Sequence, residues 1–134
     1  MSSLKVDNIT GRGNAGFTGS VKSEGGNTTT DLQQGLAKAW LQFNQSTLVK
    51  TGSFNITDVT DGGDGDFTPN FTNNMSALDY AVTSAGGQLN QDAGGRISET
   101  NPTNTSSYQC VTTSSSGTRA DHTGNSNATF GDLA

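Results

Sequence analysis

The sequence is short of the residues from which a self-sufficient core is built. Only 29% of its 134 residues are hydrophobic, and charged residues add 14%. Soluble domains usually contain about 45 to 50% apolar residues, glycine included. The length fits one domain, and the burial that it lacks must come from subunit interfaces or from folding on a partner. Six Phe, two Tyr and one Trp at strand-like positions favour a folded subunit.

Cysteine and histidine are nearly absent, since Cys110 and His122 are the only examples. One cysteine cannot form an intrachain disulfide, and one Cys with one His supplies too few ligands for a zinc site. A single histidine without a nucleophile-elbow motif gives no readable catalytic triad. The sequence therefore predicts a protein that is not an enzyme and uses no cofactor.

Clusters of basic residues and long apolar runs are also missing. The net charge is −5, and the seven basic residues stand singly, which argues against the basic patch that nucleic acid requires. No apolar run approaches the length of a membrane span, and the opening residues lack the apolar stretch of a signal peptide. We expect synthesis in a cytoplasm, with neither nucleic acid nor a membrane as partner.

Alternation of apolar and polar residues with a period of two is the main structural pattern. Such alternation predicts half-buried strands, and the intervening clusters of Gly, Asn, Asp and Ser predict turns. Short strands with frequent turns indicate a mainly β fold, either an antiparallel β-sandwich or a small jelly roll. The alternating sets are Leu41 with Phe43, Phe54 with Ile56, Phe67 with Pro69 and Phe71, Tyr80 with Val82, Tyr108 with Cys110, and Ala128 with Phe130.

Spaced apolar residues among glycines predict an extended N-terminal docking arm over residues 1–29. Glycines interrupt any long strand there, so we expect the arm to lie across a partner surface or to add a strand to a partner sheet. A floppy terminus is the competing interpretation. The predicted docking residues are Leu4, Val6, Ile9, Arg12, Phe17 and Val21.

The only helical pattern lies over residues 30–41, at the start of a β-sandwich domain predicted for residues 30–134. Thr30 and Gln33 have the spacing of a capping box, and apolar residues follow at i, i+4 and i+8. One short helix is therefore predicted. Its seam against the sheet or against another subunit would contain Leu32, Leu36, Trp40 and Phe43.

Four carboxylates beside glycines admit two interpretations. Closely spaced carboxylates can bind a hard cation such as Ca²⁺, but these spacings do not match an EF-hand loop. An Asp- and Gly-rich connection between two strands is also typical of a β-hairpin turn, which we favour. The weak metal candidates are Asp58, Asp61, Asp64 and Asp66.

Residues 84–107 are rich in Gly, Asn, Gln and Thr, with Leu89 and Ile97 among their few apolar residues. This composition predicts a long exposed loop. A polar loop of this kind suits a receptor or a glycan on a host surface.

Several segments carry a resemblance to a known family, namely residues 1–10, 17–20, 36–44, 53–57, 59–61, 65–68, 70–72, 79–82 and 129–134. They are similar to a module in small virion proteins of tailed bacteriophages, especially those that infect marine cyanobacteria, which are often described as tail-fibre-like. The resemblance implies a capsid decoration or cement subunit, or a small fibre-type appendage. It also implies a homo-trimer located in the virion, with other capsid or tail proteins as partners. The alternative is a receptor- or glycan-binding tail-fibre module.

Overall fold

The computed structural model describes residues 20–22, 29–31, 35–87 and 96–134, with side chains described from residue 35 onward except at 96–98. Contacts divide the chain into two units, Met1–Leu36 and Ala37–Ala134. In the first unit, strand β1 (Ser20–Lys22) pairs antiparallel with strand β2 (Thr29–Asp31). None of the described helices is long and apolar enough to cross a membrane.

Of the predicted docking residues, only one falls within the described part of the chain. Val21 lies in β1, opposite Thr30 of β2. The others lie outside the described residues, namely Leu4, Val6, Ile9, Arg12 and Phe17. The docking role of this segment therefore stays a prediction.

The second unit is an antiparallel β-sandwich, which confirms the predicted fold class. Sheet I has the strand order β4-β3-β10-β7, and sheet II has the order β5-β6-β9-β8. A short 3-10 turn, Gln45–Thr47, links β3 to β4. The strands are β3 (Ala39–Asn44), β4 (Val49–Phe54), β5 (Ile56–Gly63), β6 (Asp66–Phe71), β7 (Ala81–Gly87), β8 (Arg96–Asn104), β9 (Ser107–Thr113) and β10 (Gly124–Phe130).

The two sheets pack through aromatic side chains of β3, β6 and β9. The ring centroids of Phe43 and Phe67, on opposite sheets, are 5.3 Å apart, and within sheet II the ring of Phe71 lies 5.5 Å from that of Tyr108. Aromatic pairs at such distances add to the stabilisation from their buried area. The buried apolar side chains are those of Ala39, Leu41, Phe43, Ile56, Phe67, Phe71, Met75, Tyr80, Tyr108 and Cys110.

The prediction of a helix over residues 30–41 is wrong near both of its ends, where the structure has strands. Thr30 belongs to β2, and Trp40 belongs to β3. Along β3 the side chains alternate between buried and exposed, which is strand geometry. Helix propensity is a weak preference that tertiary pairing overrides, and here β3 pairs with a neighbour on each side.

The predicted seam does not form one face. Phe43 is buried between the sheets, whereas Trp40 is exposed on the opposite side of the same strand. Leu36 is exposed as well, and Leu32 lies outside the described residues. A helix would have placed Leu32, Leu36 and Trp40 on one side, but the two-residue period of a strand separates Trp40 from Phe43.

The alternation of Phe54 with Ile56 does not run through one strand. Asn55, between them, has φ 56°, a left-handed conformation that asparagine tolerates better than most residues. Its Nδ2 donates to the carbonyls of Lys38 at 3.1 Å and Asn73 at 3.0 Å, which fixes the corner. The chain passes here from sheet I to sheet II, so that Phe54 is exposed while Ile56 is buried.

The prediction of a long exposed loop over residues 84–107 is wrong, because most of the residues that the structure describes in this range belong to strands. Strand β7 extends to Gly87, and β8 occupies Arg96–Asn104, while residues 88–95 lie outside the described part. Each of these strands is at the edge of its sheet. An edge strand tolerates polar residues and even Pro102, because one side of its backbone has no ladder partner.

The buried face of strand β10 is the opposite of the one that its alternation predicted. Its polar residues Asn125, Asn127 and Thr129 are buried between the sheets. The apolar Ala128 and Phe130 therefore lie on the outer face of sheet I. Part of the interior is polar as a result, so this sandwich forms with few apolar residues.

Candidate interaction surfaces

The outer face of sheet I is uncharged over two adjacent rows of cross-strand neighbours. Each row runs across all four strands, from β4 through β3 and β10 to β7. No side chain in either row can carry a charge. The first row is Phe54, Trp40, Ala128 and Thr83, and the second is Gly52, Gln42, Ser126 and Ala85.

Trp40 forms an exposed aromatic platform on this face. A Cβ atom placed on Gly52 would lie 3.1 Å from Cζ3 and 3.3 Å from Cη2 of Trp40, so the ring rests on the glycine of the neighbouring strand. Trp40 is nevertheless 44% exposed, and its cross-strand partner Phe54 is 53% exposed. We refer to Trp40, Gly52 and Phe54 as the Trp40 platform.

Small side chains beside the platform leave an open depression in the surface of sheet I. Its volume is about 370 Å³. Because β7 and β10 present only small residues outward here, the depression lies beside the larger ring of Trp40. Its lining residues are Thr83, Ser84, Ala85, Ser126, Asn127 and Ala128.

Sheet II presents a different outer face, which carries carboxylates and amides. Asn70 Nδ2 donates to the carboxylate of Asp58 on the adjacent strand. The carboxylate of Asp66 accepts from Gln109 Nε2 at 2.9 and 3.0 Å, and from Arg119 Nη1 at 3.0 Å. The two sides of the sandwich thus differ in charge.

The predicted metal candidates lie on and around the hairpin that joins β5 to β6, and the predicted β-hairpin turn is present there. Asp64 and Gly65 form its tip, and the φ angles of Gly63 and Gly65 are 100° and 67°. Asp61 Oδ1 accepts from the Gly63 N–H at 2.9 Å, as a turn aspartate does. Within residues 35–87 and 96–134, no three His, Cys, Asp or Glu side chains are grouped so as to hold a metal ion.

Apolar side chains are exposed at both ends of the sandwich. Leu48 and Val49, at the turn from β3 to β4, are each about half exposed, and we call them the tip end. Leu78 and Leu133, which we call the base end, are exposed to a similar degree. The strands β3 and β10 run side by side from one end to the other. The two ends are therefore about one strand length apart, about 20 Å for six residues.

The two residues with the strongest chemical reactivity in the sequence are both buried. Cys110 Sγ accepts a hydrogen bond from Asn127 Nδ2 at 3.1 Å, and burial raises the pKa of the Cys110 thiol to about 12. His122 is also buried, with Nε2 3.0 Å from the carbonyl of Thr113. Both side chains therefore belong to the polar interior.

Sequence reasoning missed the exposure of Phe54 and the outward position of Ala128 and Phe130 in β10. The available indication was Gly52, two residues before an aromatic in a predicted strand, since a glycine in a strand often marks a close approach by another group.

Searches among protein-family models, curated proteins and solved structures found no match for this chain.

Proposed function

We propose that the protein is a structural component of a bacteriophage virion, which docks on the particle through residues 1–29 and associates with further copies of itself. It would serve as a capsid decoration or cement subunit, or as a small fibre-type appendage. The sequence resemblance supports the virion role. The observation that carries self-association is the exposure of apolar side chains at opposite ends of one small sandwich.

Contact between the tip end of one copy and the base end of the next would bury these side chains. Such a contact joins two different surfaces, so it either closes into a ring or continues as a fibre. The trimer implied by the resemblance corresponds to a ring that closes after three copies.

Sedimentation of two complementary variants tests end-to-end association. One variant replaces Leu48 and Val49 with serine, and the other replaces Leu78 and Leu133 with serine. Each variant alone should be monomeric, because one of its two contact surfaces is lost. An equimolar mixture should form a dimer and nothing larger, since each pair retains one intact tip end and one intact base end.

Phe54→Ser is the matched control for these variants, because it removes an equally exposed apolar side chain that lies at neither end. It should associate like the unmodified protein. A mixture of the two variants that stays monomeric would refute the end-to-end contact. A folded monomer at every concentration of the unmodified protein would refute self-association altogether.

Deletion of residues 1–25 tests docking. Particles assembled with the shortened chain should lack the protein, while circular dichroism of the shortened chain should retain the β spectrum of the sandwich. Normal incorporation of the shortened chain would contradict the docking role of the arm.

A receptor- or glycan-binding module is the second candidate function. The observation that favours it is the Trp40 platform, which places an exposed aromatic ring on an uncharged surface.

A further inference from the structure

We propose that the outer face of sheet I binds a neutral oligosaccharide, with one sugar ring stacked on Trp40. The proposal rests on the second candidate function. It uses a surface separate from the tip and base ends, so the end-to-end contact and the sugar site can fail independently.

The charge distribution selects a neutral ligand. The eight residues of the two rows on sheet I are all uncharged, whereas the chain as a whole has a net charge of −5. An acidic glycan would find no cation in these two rows and would be repelled by the net charge of the protein. A neutral sugar has no charge to desolvate when it moves from water to an uncharged surface, so its hydroxyls need only hydrogen-bond partners there.

The Trp40 platform supplies the stacking surface. A sugar ring has a face of C–H groups that packs on an aromatic ring, and Trp offers the largest aromatic surface among the side chains. Because the ring already rests on Gly52, it needs little further ordering when a ligand binds. Phe54, next to it in the row, extends the apolar strip toward the edge of the sheet.

Gln42 and Ser126 supply hydrogen-bonding groups in the adjacent row. They are cross-strand partners, and both side chains are exposed. Within the described part of the chain neither side chain makes a hydrogen bond, so both are available to sugar hydroxyls. A few polar groups beside an apolar surface are what orient a ligand in a small-molecule site.

The size of the face suits a small ligand. Four strands about 4.8 Å apart and six residues long give a planar area of about 400 Å². The depression beside Trp40, at about 370 Å³, falls within the range of small-molecule sites, roughly 300 to 1,000 Å³.

Fluorescence gives a direct assay, because Trp40 is the only tryptophan in the sequence. The probes are cellohexaose, maltohexaose and chitohexaose as neutral oligosaccharides, and an oligogalacturonate of the same length as the acidic comparison. At least one neutral probe should change the fluorescence of Trp40 saturably, with a Kd of about 1 mM or tighter. The acidic probe should bind at least about tenfold more weakly.

Calorimetry with variants locates the site. Trp40→Ala should weaken binding of the neutral probe by about tenfold or more, the size expected for loss of an aromatic stacking contact. Gly52→Ala keeps the indole but pushes against its edge, and should also weaken binding. Leu78→Ser, at the base end, is the control and should bind normally.

Three outcomes would overturn the proposal. The first is the absence of a saturable change with every neutral probe. The second is equal or tighter binding of the oligogalacturonate. The third is a change in sedimentation of Trp40→Ala with no change in sugar binding, which would identify the face as a contact between copies. None of these outcomes depends on the complementary end variants, which test self-association by themselves.

Discussion

Two fully buried threonines on facing sheets provide a matched test of the polar interior. Thr129 of β10 and Thr112 of β9 are both 0% exposed. Thr112 Oγ1 donates to Gln45 Oε1 at 3.0 Å and lies 2.8 Å from the carbonyl of Ala120. Among the described residues Thr129 Oγ1 makes no hydrogen bond of standard geometry, and it lies close to the Tyr108 hydroxyl, which lacks one as well. The same substitution, threonine to valine, should therefore have opposite effects at the two positions.

The magnitudes follow from what each hydroxyl does in the folded state. A buried hydroxyl without a partner costs about 1 to 3 kcal/mol, and the methyl group that replaces it contributes about 0.8 kcal/mol of burial. Thr129→Val should thus raise the free energy of unfolding by about 2 to 4 kcal/mol. Thr112→Val should lower it by about 1 to 3 kcal/mol, because Gln45 Oε1 would remain buried without its donor.

Urea denaturation followed by circular dichroism measures both changes. The slope of free energy against urea should stay the same in both variants, so the shift appears in the midpoint. The two variants should differ by at least about 3 kcal/mol, since the expected effects have opposite signs. If Thr129→Val is destabilised as much as Thr112→Val, the Thr129 hydroxyl has a hydrogen-bond partner in the folded protein. The reasoning about an unpaired hydroxyl in the interior would then be refuted.

Two further predictions concern the glycine of the β5–β6 hairpin and the buried thiol. Gly65→Ala should destabilise by at least about 2 kcal/mol more than Gly117→Ala in the same denaturation assay. Positive φ strains both alanines, but only at Gly65 would the added Cβ clash with the Thr112 carbonyl. Equal effects of the two substitutions would contradict this. The pKa of Cys110 is raised from 9.0 to about 12 by burial, so the unfolded thiol ionises first and stability is lost as pH rises from about 9 toward 12. In Cys110→Ala the free energy of unfolding should fall with pH less steeply by about 1.4 kcal/mol per pH unit in this window, and an unchanged slope would show that the thiol does not titrate differently on folding.

Predictions based on alternation succeeded where large apolar residues recur every second position. Phe67 and Phe71 in β6, and Tyr108 and Cys110 in β9, are buried as expected. These side chains lose much more than their neighbours by facing water, so the register of the strand follows from their burial. The Asp- and Gly-rich hairpin was also predictable, because turn chemistry is local.

Predictions failed where local preference and tertiary pairing disagreed. The capping pattern and apolar spacing before Trp40 resemble a helix, but β3 gains ladders with both β4 and β10. In β10, one face carries Ala128 and Phe130 and the other carries Asn125, Asn127 and Thr129. Alternation shows that the two faces differ, but which face is buried depends on the sheet opposite. The exposure of Trp40 could not be predicted from the sequence for the same reason.

The sequence by itself determined that this chain is mainly β, that its hairpin turns lie at glycine and aspartate clusters, and that its large aromatics in β6 and β9 form a core. These properties depend on residues close together in the chain. The tertiary structure decided that Trp40 and Phe54 share an exposed face, and that polar side chains of β10 occupy the interior. Both depend on strands distant in sequence, since β10 lies between β3 and β7. Pairing across such distances is set by the sum of many contacts, and no local pattern encodes it.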